Sequence, residues 1–315
     1  MDIRNKVAIV TGGASGIGRS IAQRFAADGA RGVVVADLNF KRAQAVAHDI
    51  QGLAVRCDVS SEADIQALVA TTRQHYGQVD AYISNAGILG RMGGLDLEDG
   101  LWDKMWQIHG MAHVWAARAV VPDMVARGEG FFMVTASAAG LLTIVESAPY
   151  AVTKHAAVAF AEWLRIAYGR KGLQVACLCP QSVQTDMVTG DGGSASHDGI
   201  LAPEVVAQEV VATMVSGKFL VLPHPEVAQY FRNKGQDYER WIGGMQKLKR
   251  LYLDHLLDRP RQGDALQETL INVTAAWVVQ SLVGSYGPMV HPVGACATAA
   301  VSVEDAVDKV LGGKA

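Results

Sequence analysis

Tyr150 and Lys154, the first and last residues of "YAVTK", stand four apart and so share one face of any helix that contains them. A phenol with an ordinary pKa of about 10 is a poor base at neutral pH. An ammonium one turn away favours the phenolate and brings the group toward useful acid–base strength. Ser137, thirteen residues earlier, adds a hydroxyl able to hold a substrate oxygen while a hydride moves. A different chemistry is written near the other end. There Cys296, in "GACATAAVS", directly precedes a strongly helical pattern, where a helix N-terminus favours a thiolate.

Hydride chemistry needs a carrier, and the first forty residues supply a place for one. "TGGASGIG" at 11–18 puts Gly12, Gly16 and Gly18 on a turn between an apolar run and a helical pattern. Glycine there permits positive φ and lets a pyrophosphate approach the N–H groups of a helix N-terminus. Asp37 closes the next apolar run, where an acidic side chain accepts hydrogen bonds from an adenosine ribose. Together these features predict a dinucleotide site. A 2′-phosphate within about 4 Å of Asp37 would cost several kcal/mol at an intermediate dielectric. The next residues, Leu38, Asn39 and Phe40, carry no positive charge, and Arg19 is expected on an outer helix surface. NAD is therefore the expected cofactor.

The elements that must position these residues repeat regularly. Apolar runs at 7–12, 32–37, 53–58, 79–84, 130–137, 173–179 and 218–223 alternate with amphipathic helical patterns. The long helices are expected at 101–127 and 148–171. Such alternation predicts an α/β fold, a doubly wound parallel sheet covered on both faces, with ligands at the C-terminal strand ends. At 315 residues and 50% hydrophobic, the chain has material for a large core.

Composition excludes several classes. A net charge of −3 and a pI near 6.3 offer no basic surface for nucleic acid or an anionic membrane. The N-terminus runs straight into a strand without an apolar signal region. The uncharged stretches 131–145 and 269–303 are broken by polar residues, Gly and Pro, so no membrane span is expected. Cys57, Cys177, Cys179 and Cys296 have neither disulfide nor zinc spacing; Cys177 and Cys179 are expected as core thiols on one strand face. This is cytoplasmic usage with no metal site.

Several motifs in fixed order resemble the short-chain dehydrogenase/reductase family over about residues 1–240: "TGGASGIG", "CDVS" at 57–60, "NAG" at 85–87, Ser137, "YAVTK", and "CLCPQSVQTDM" at 177–187. The resemblance implies a Rossmann-type domain over 1–243 and an oxidoreductase acting on CH–OH groups. It casts Ser137, Tyr150 and Lys154 as catalytic, with Lys154 also on the nicotinamide ribose. Gly12, Ser15, Gly16, Ile17 and Gly18 would hold the pyrophosphate side. Asp37, Asp58, Val59, Asn85, Ala86 and Gly87 would line the adenosine side, and Pro180, Val183 and Thr185 the later segment. Where the family usually carries Pro-Gly, this chain has Pro180-Gln181. Where it usually carries a catalytic asparagine, thirteen residues before a helix-ending proline (here Pro122), this chain has His109. Three readings of His109 stand: a substitute in a relay built on the helix backbone, a direct imidazole relay, or a packing residue. The Gly/Ser-rich stretch 187–202 falls at the family's substrate lid. Met187, Val188, Leu141, Leu142 and Val145 suggest an apolar pocket for a small-molecule secondary alcohol or ketone, not a sugar. The two long helices resemble the family's contacts in homodimers and homotetramers.

From about Gly244 the chain resembles part of the β-ketoacyl synthase domain of type I fatty acid synthases, with "GACATAAVS" matching the nucleophile segment. The two histidines such synthases need would lie beyond Ala315. The stretch 244–315 is therefore expected to form a helical C-terminal appendage that condenses nothing, with a junction somewhere in "RWIGGMQKLKRLY". Three functions follow: an NAD-dependent alcohol dehydrogenase, an NADPH-dependent 3-ketoacyl reductase, or a nucleotide-binding scaffold.

Overall fold

The computed structural model describes residues 1–188 and 193–250. The fusion-like stretch beyond residue 250, with Cys296, lies outside the described residues, as do positions 189–192 of the expected substrate lid. In chain order the elements are β1 (Val7–Thr11), α1 (Gly16–Ala27), β2 (Gly32–Asp37), α2 (Phe40–Asp49), β3 (Leu53–Arg56), α3 (Glu62–Tyr76) and β4 (Ala81–Ser84). Then come α4 (Asp99–Trp106), a π-helical turn at Gln107–Met111, α5 (Ala112–Ala126), β5 (Gly130–Thr135), α6 (Ala139–Leu142), α7 (Ala148–Tyr168) and β6 (Leu173–Leu178). The last are α8 (Pro203–Ser216), β7 (Leu220–Val221), α9 (Glu226–Gln236) and α10 (Tyr238–Lys249). The boundary expected at 243/244 falls inside α10.

All seven strands pair parallel in the order β3-β2-β1-β4-β5-β6-β7. The expected doubly wound, Rossmann-type sheet is therefore present. Its order reverses between β1 and β4, which opens the crevice where such sheets bind ligands. Alternate side chains along each strand enter different layers. Ile9, Val34, Tyr82, Phe132 and Val175 pack under α3, α5 and α7. Val10, Val35, Ile83, Met133 and Ala176 pack under α1, α2 and α8. Burial on both faces is why these runs read as continuously apolar. The edge strands β3 and β7 are shorter than the sequence suggests, each having one neighbour to pair with.

Local signals place the helix starts. Asn39 accepts from the Arg42 N–H, Ser61 from that of Asp64, and Ser147 from that of Tyr150. Pro149 in the first turn of α7 sacrifices no helical bond. Pro122, the family's helix-ending proline, lies here within α5, which runs on to Ala126, in keeping with the helix expected at 101–127. Val121 and Met124 are buried against the sheet and hold that last turn in place despite the missing N–H.

Polar bonds tie three central strand ends together. Asn85, just after β4, donates from Nδ2 to the Thr11 carbonyl at 3.0 Å and accepts from the Thr135 hydroxyl at 3.1 Å. The Thr11 hydroxyl in turn accepts the N–H groups of Asn85 and Ala86. Replacing Asn85 with Ala leaves a carbonyl and a hydroxyl unpaired at the join of β1, β4 and β5. The expected cost is about 2 kcal/mol, seen as a lower urea midpoint at unchanged slope.

Candidate active site

The loop after β1 is built around absent side chains. Gly12 sits at φ +64°, and a Cβ there would lie 2.9 Å from the Ala86 backbone. A Cβ on Gly18 would lie 2.2 Å from the Gly12 carbonyl oxygen, so α1 can approach the turn only without one. Gly16, at φ +49°, faces Thr185, whose methyl would lie 2.7 Å from an added Cβ. The first N–H groups of α1 have no carbonyl one turn earlier to bond. Ser15 precedes the helix without a side-chain cap bond, and Ile17 packs partly buried on the core. A Cβ-free cradle lined by spare N–H groups fits a dinucleotide pyrophosphate.

Asp37 ends β2 beside this cradle. Its carboxylate accepts the Ala14 N–H at 3.1 Å and the Asn39 N–H at 2.9 Å, one on each oxygen. Each oxygen keeps a second lone pair for a ribose hydroxyl. Arg19 is exposed, as expected of a surface arginine. Asp58 accepts from the Ser60 hydroxyl and N–H, at 2.6 and 2.9 Å. The Ser60 hydroxyl bond is the main reason its carboxyl lies below the usual range. Val59 packs partly against the core. Asn85 contributes through the cross-tie described above, because its amide is committed to Thr11 and Thr135. On the far side, the Pro180 carbonyl accepts the Ala138 N–H, and Val183 is buried.

The acid–base residues converge from β5, α5 and α7. Tyr150 and Lys154 are both buried on α7, with the Lys154 Nζ 5.6 Å from the phenol ring centroid. That ammonium donates to the Thr135 carbonyl at 3.0 Å, and burial lowers its pKa to about 8. Ser137 follows β5; its Oγ accepts the Ala139 N–H at 3.1 Å and reaches the Pro180 carbonyl at 3.4 Å. Burial raises the Tyr150 phenol above its ordinary value, with the Ser137 hydroxyl pulling the other way. The downward shift expected from the neighbouring ammonium is thus corrected in this structure, where desolvation dominates.

His109 lies in the π-helical turn between α4 and α5. Its Nε2 accepts the Ile88 N–H at 3.1 Å, which leaves the ring proton on Nδ1 for Thr153 Oγ1 at 3.0 Å. Thr153 passes its own proton to the Pro149 carbonyl at 2.7 Å. The imidazole also meets the Tyr150 ring edge-on, 5.5 Å between centroids. Burial first, then the Lys154 charge, holds His109 well below the usual histidine pKa, so the ring is neutral. Gly87 faces both groups: a Cβ there would lie 3.4 Å from His109 Nε2 and 3.6 Å from Lys154 Nζ.

Of the expected apolar set, Leu141 and Leu142 are buried with the main core, and the Lys234 ammonium donates to the Leu141 carbonyl at 2.6 Å. The phenol packs with Met105 and Ala139, and Ile88, Leu89, Leu101 and Ile144 join them partly exposed. These residues come from loops and helix ends that carry no motif, so only the fold reveals them. Thr11 and Thr153 lie inside the quoted motifs and Thr135 within the run before Ser137, but their part is to bond neighbouring elements, which a sequence pattern does not display. Cys177 and Cys179 are buried together under this site, with sulfurs 3.7 Å apart, as their spacing suggested. Among the described residues, no group of three or more His, Cys, Asp or Glu could hold a metal ion. No helix there is long and apolar enough to cross a membrane.

One turn beyond His109, His113 is also buried; its Nδ1 bonds the Ser84 hydroxyl at 2.7 Å, and burial drops its pKa to about 3. Folded-state values below the unfolded 6.5 mean that the unfolded chain takes up protons first as pH falls. Stability is therefore lost below pH 6.5, by about 2 kcal/mol from His113 between pH 7 and pH 5, with His109 adding in the same direction. Urea unfolding at pH 7, 6 and 5 measures this slope, and His113→Leu makes it shallower.

Residues 6–193 match the family model described as short chain dehydrogenase. The chain is 33% identical over 257 residues to 1-deoxy-11-beta-hydroxypentalenate dehydrogenase of Streptomyces exfoliatus, covering 77% of this chain and 91% of that one. It is 30% identical over 195 residues to 3beta-hydroxysteroid dehydrogenase 2 of Eggerthella lenta, covering 60% and 75%. Among solved structures it resembles a short chain dehydrogenase/reductase of Burkholderia phymatum in complex with NAD: TM-score 0.70, 26% identity, 76% and 96% coverage. It also resembles the 3-ketoacyl-(acyl-carrier-protein) reductase of Brucella melitensis complexed with NADH: TM-score 0.65, 27% identity, 70% and 96% coverage. With the glycine cradle, the buried tyrosine–lysine pair and the sheet order already in place, the chain belongs to the short-chain dehydrogenase family, oxidoreductases that act on CH–OH groups with a nicotinamide cofactor.

Proposed function

We propose that this protein interconverts a bulky, apolar secondary alcohol and its ketone, using NAD. The observation that carries the reading is the Tyr150 phenol set among Met105, Ala139, Ile88, Leu89, Leu101 and Ile144, with Ser137 as its polar neighbour. Such a wall binds hydrocarbon rings and leaves a sugar's hydroxyls unpaired. Similarity to a relative named for a hydroxysteroid supports the same class.

The roles follow from the geometry. Ser137 Oγ and Tyr150 Oη hold the substrate oxygen. Tyr150 takes its proton in oxidation and returns one in reduction. Lys154 keeps positive charge beside the phenol, anchored on the Thr135 carbonyl, and is placed to hold the nicotinamide ribose. The nicotinamide, when bound, accepts or donates the hydride. His109 acts as a positioning residue: neutral, with both nitrogens engaged, it fixes the Ile88 segment, Thr153 and the phenol edge. Gly12, Ser15, Gly16, Ile17 and Gly18 take the pyrophosphate side, and Asp37, Asp58, Val59 and Asn85 to Gly87 the adenosine side. Pro180, Val183 and Thr185 close the groove. NAD is favoured because, among the described residues, no cation bonds the Asp37 carboxylate, and each of its oxygens keeps a lone pair for a ribose hydroxyl.

A second reading is reduction of a 3-ketoacyl thioester, favoured by the likeness to the Brucella melitensis reductase. That structure holds NADH, so cofactor choice alone does not separate the two readings; substrate does. A homodimer or homotetramer through α4–α5 and α7 fits the exposed Trp106, Trp163 and Ile166. Buried free thiols at Cys57, Cys177 and Cys179 fit a reducing, cytoplasmic setting.

Fluorescence titration should show NADH binding at least tenfold tighter than NADPH, with Asp37→Ala eroding the difference. Tyr150→Phe should lower turnover by 10²- to 10⁴-fold while leaving NADH affinity within a few-fold. The burial-raised phenol stays protonated at neutral pH. Alcohol oxidation should therefore climb by up to tenfold per pH unit through the neutral range without levelling off there, while ketone reduction stays level. Turnover of cyclic secondary alcohols that fails for 3-ketoacyl thioesters decides between the two readings; the reverse result overturns the first.

A further inference from the structure

Strands β2 and β6 are four spacings apart in the sheet, roughly 19 Å at about 4.8 Å per spacing. Yet a residue shortly after β6 bonds a residue in the helix after β2. Asp186 Oδ2 accepts from the Arg42 guanidinium at 2.6 Å. The segment between them crosses the C-terminal edge of the sheet. Its path is marked by its contacts: the Pro180 carbonyl receives the Ala138 N–H beside Ser137, Val183 is buried, and Thr185 lies on Gly16. Its outer side is stitched by backbone bonds from Gln184 to Leu201 and from Leu201 to Ser182. Residues 180–186 thus form a strap that ends beside the glycine cradle and the first turn of α2.

Arg42 stands in the first turn of α2, five residues beyond Asp37, and its own N–H is capped by Asn39. Its guanidinium is turned to Asp186 and makes no bond to Asp37. The position is therefore a basic residue beside the ribose end of the groove whose charge is already spent. We infer that the Arg42–Asp186 pair is a clasp that closes the strap over the dinucleotide groove, slows cofactor release and withholds the Arg42 charge from a 2′-phosphate. The inference rests on the NAD reading above for its second part only. Strap closure concerns either nucleotide.

Both partners are partly exposed, with side-chain accessibilities of 49% and 68%. The pair is therefore worth what an exposed ion pair is worth, a few-fold in an equilibrium or a rate, and it is screened by salt. The strap's other contacts are apolar packing, backbone bonds and side-chain bonds with neutral donors, from Gln181 to Asp198 and between Ser182 and Ser196. Among the described residues the clasp is the strap's one ion pair, so it is the contact whose opening responds most to ionic strength.

The test uses stopped-flow displacement of NADH and of NADPH from the full-length protein, with Arg42→Gln, Asp186→Asn and the double variant beside wild type. Each single change should speed NADH dissociation about two- to fivefold, and the double should do no more than either single. Raising salt from about 0.05 to about 0.5 M should speed wild-type release more than that of the variants. Asp186→Asn, which frees Arg42, should tighten NADPH binding about threefold or more, and Arg42→Gln should not. Unchanged dissociation rates in all three variants, or additive effects in the double, overturn the clasp. Tighter binding of NADPH than NADH by wild type would overturn the NAD reading instead, while the dissociation rates would still report on the clasp.

Discussion

A buried ammonium sets the terms for everything around the site. Lys154 is almost wholly enclosed, and among the described residues it has no carboxylate partner and one hydrogen-bond acceptor, a carbonyl oxygen of β5. Displacement of its pKa from 10.5 to about 8 amounts to about 3 kcal/mol of unfavourable burial. The neighbours are correspondingly neutral. His109 and His113 are held unprotonated, partly by that charge. Cys177 is kept a thiol by its bond to Cys179 and by burial. A carboxylate in this shell would neutralise the ammonium and take away its influence on the phenol. The fold instead tolerates an uncompensated charge, as sites that do proton chemistry often do.

That arrangement depends on rigid supports from three directions. The Thr135 carbonyl is fixed because the same residue's hydroxyl is tied to Asn85, and Asn85 to Thr11. The helix carrying Tyr150 and Lys154 begins where Ser147 caps it, and Thr153 on its buried side is tied to His109. The Ser137 hydroxyl, the Tyr150 phenol and the glycine loop after β1 are thereby referred to one frame, the switch point between β1 and β4.

Much of this frame was legible in the residues. Strands buried on both faces produce long apolar runs, and glycines that admit no Cβ leave a spacing visible without coordinates. Tyr150, Lys154, Ser137 and Asp37 stood out because they fall in register with one another and with the glycine loop; each alone is ordinary in a helix or loop. The apolar residues packed around the phenol did not stand out. Ile88, Leu101 and Ile144 are ordinary apolar residues on three separate segments, and nothing local distinguishes them from apolar residues packed elsewhere in the core. The fate of Pro122 depended on packing by Val121 and Met124 instead of on its ring. The direction of the Tyr150 shift was misjudged because pairwise charge is visible in a sequence and desolvation is not.

The π-helical turn at Gln107–Met111 has a bearing on how this chain tolerates change in length. Such a turn holds one residue more than an α-helical one, and each residue advances a helix by about 100°. The extra residue is absorbed inside the turn, so the inward residues of α5, such as Ala116, Val120 and Met124, keep their place against the sheet while His109 is lodged at the bulge. Losing one residue between Trp106 and Ala112 would restore a regular helix and leave the flanking helices in phase, whereas losing two would turn the buried stripe of α5 from the sheet by about 100°. In this stretch the packing tolerates one deletion, and the identity of His109, more than the length of the turn, is what the bulge presents to the site.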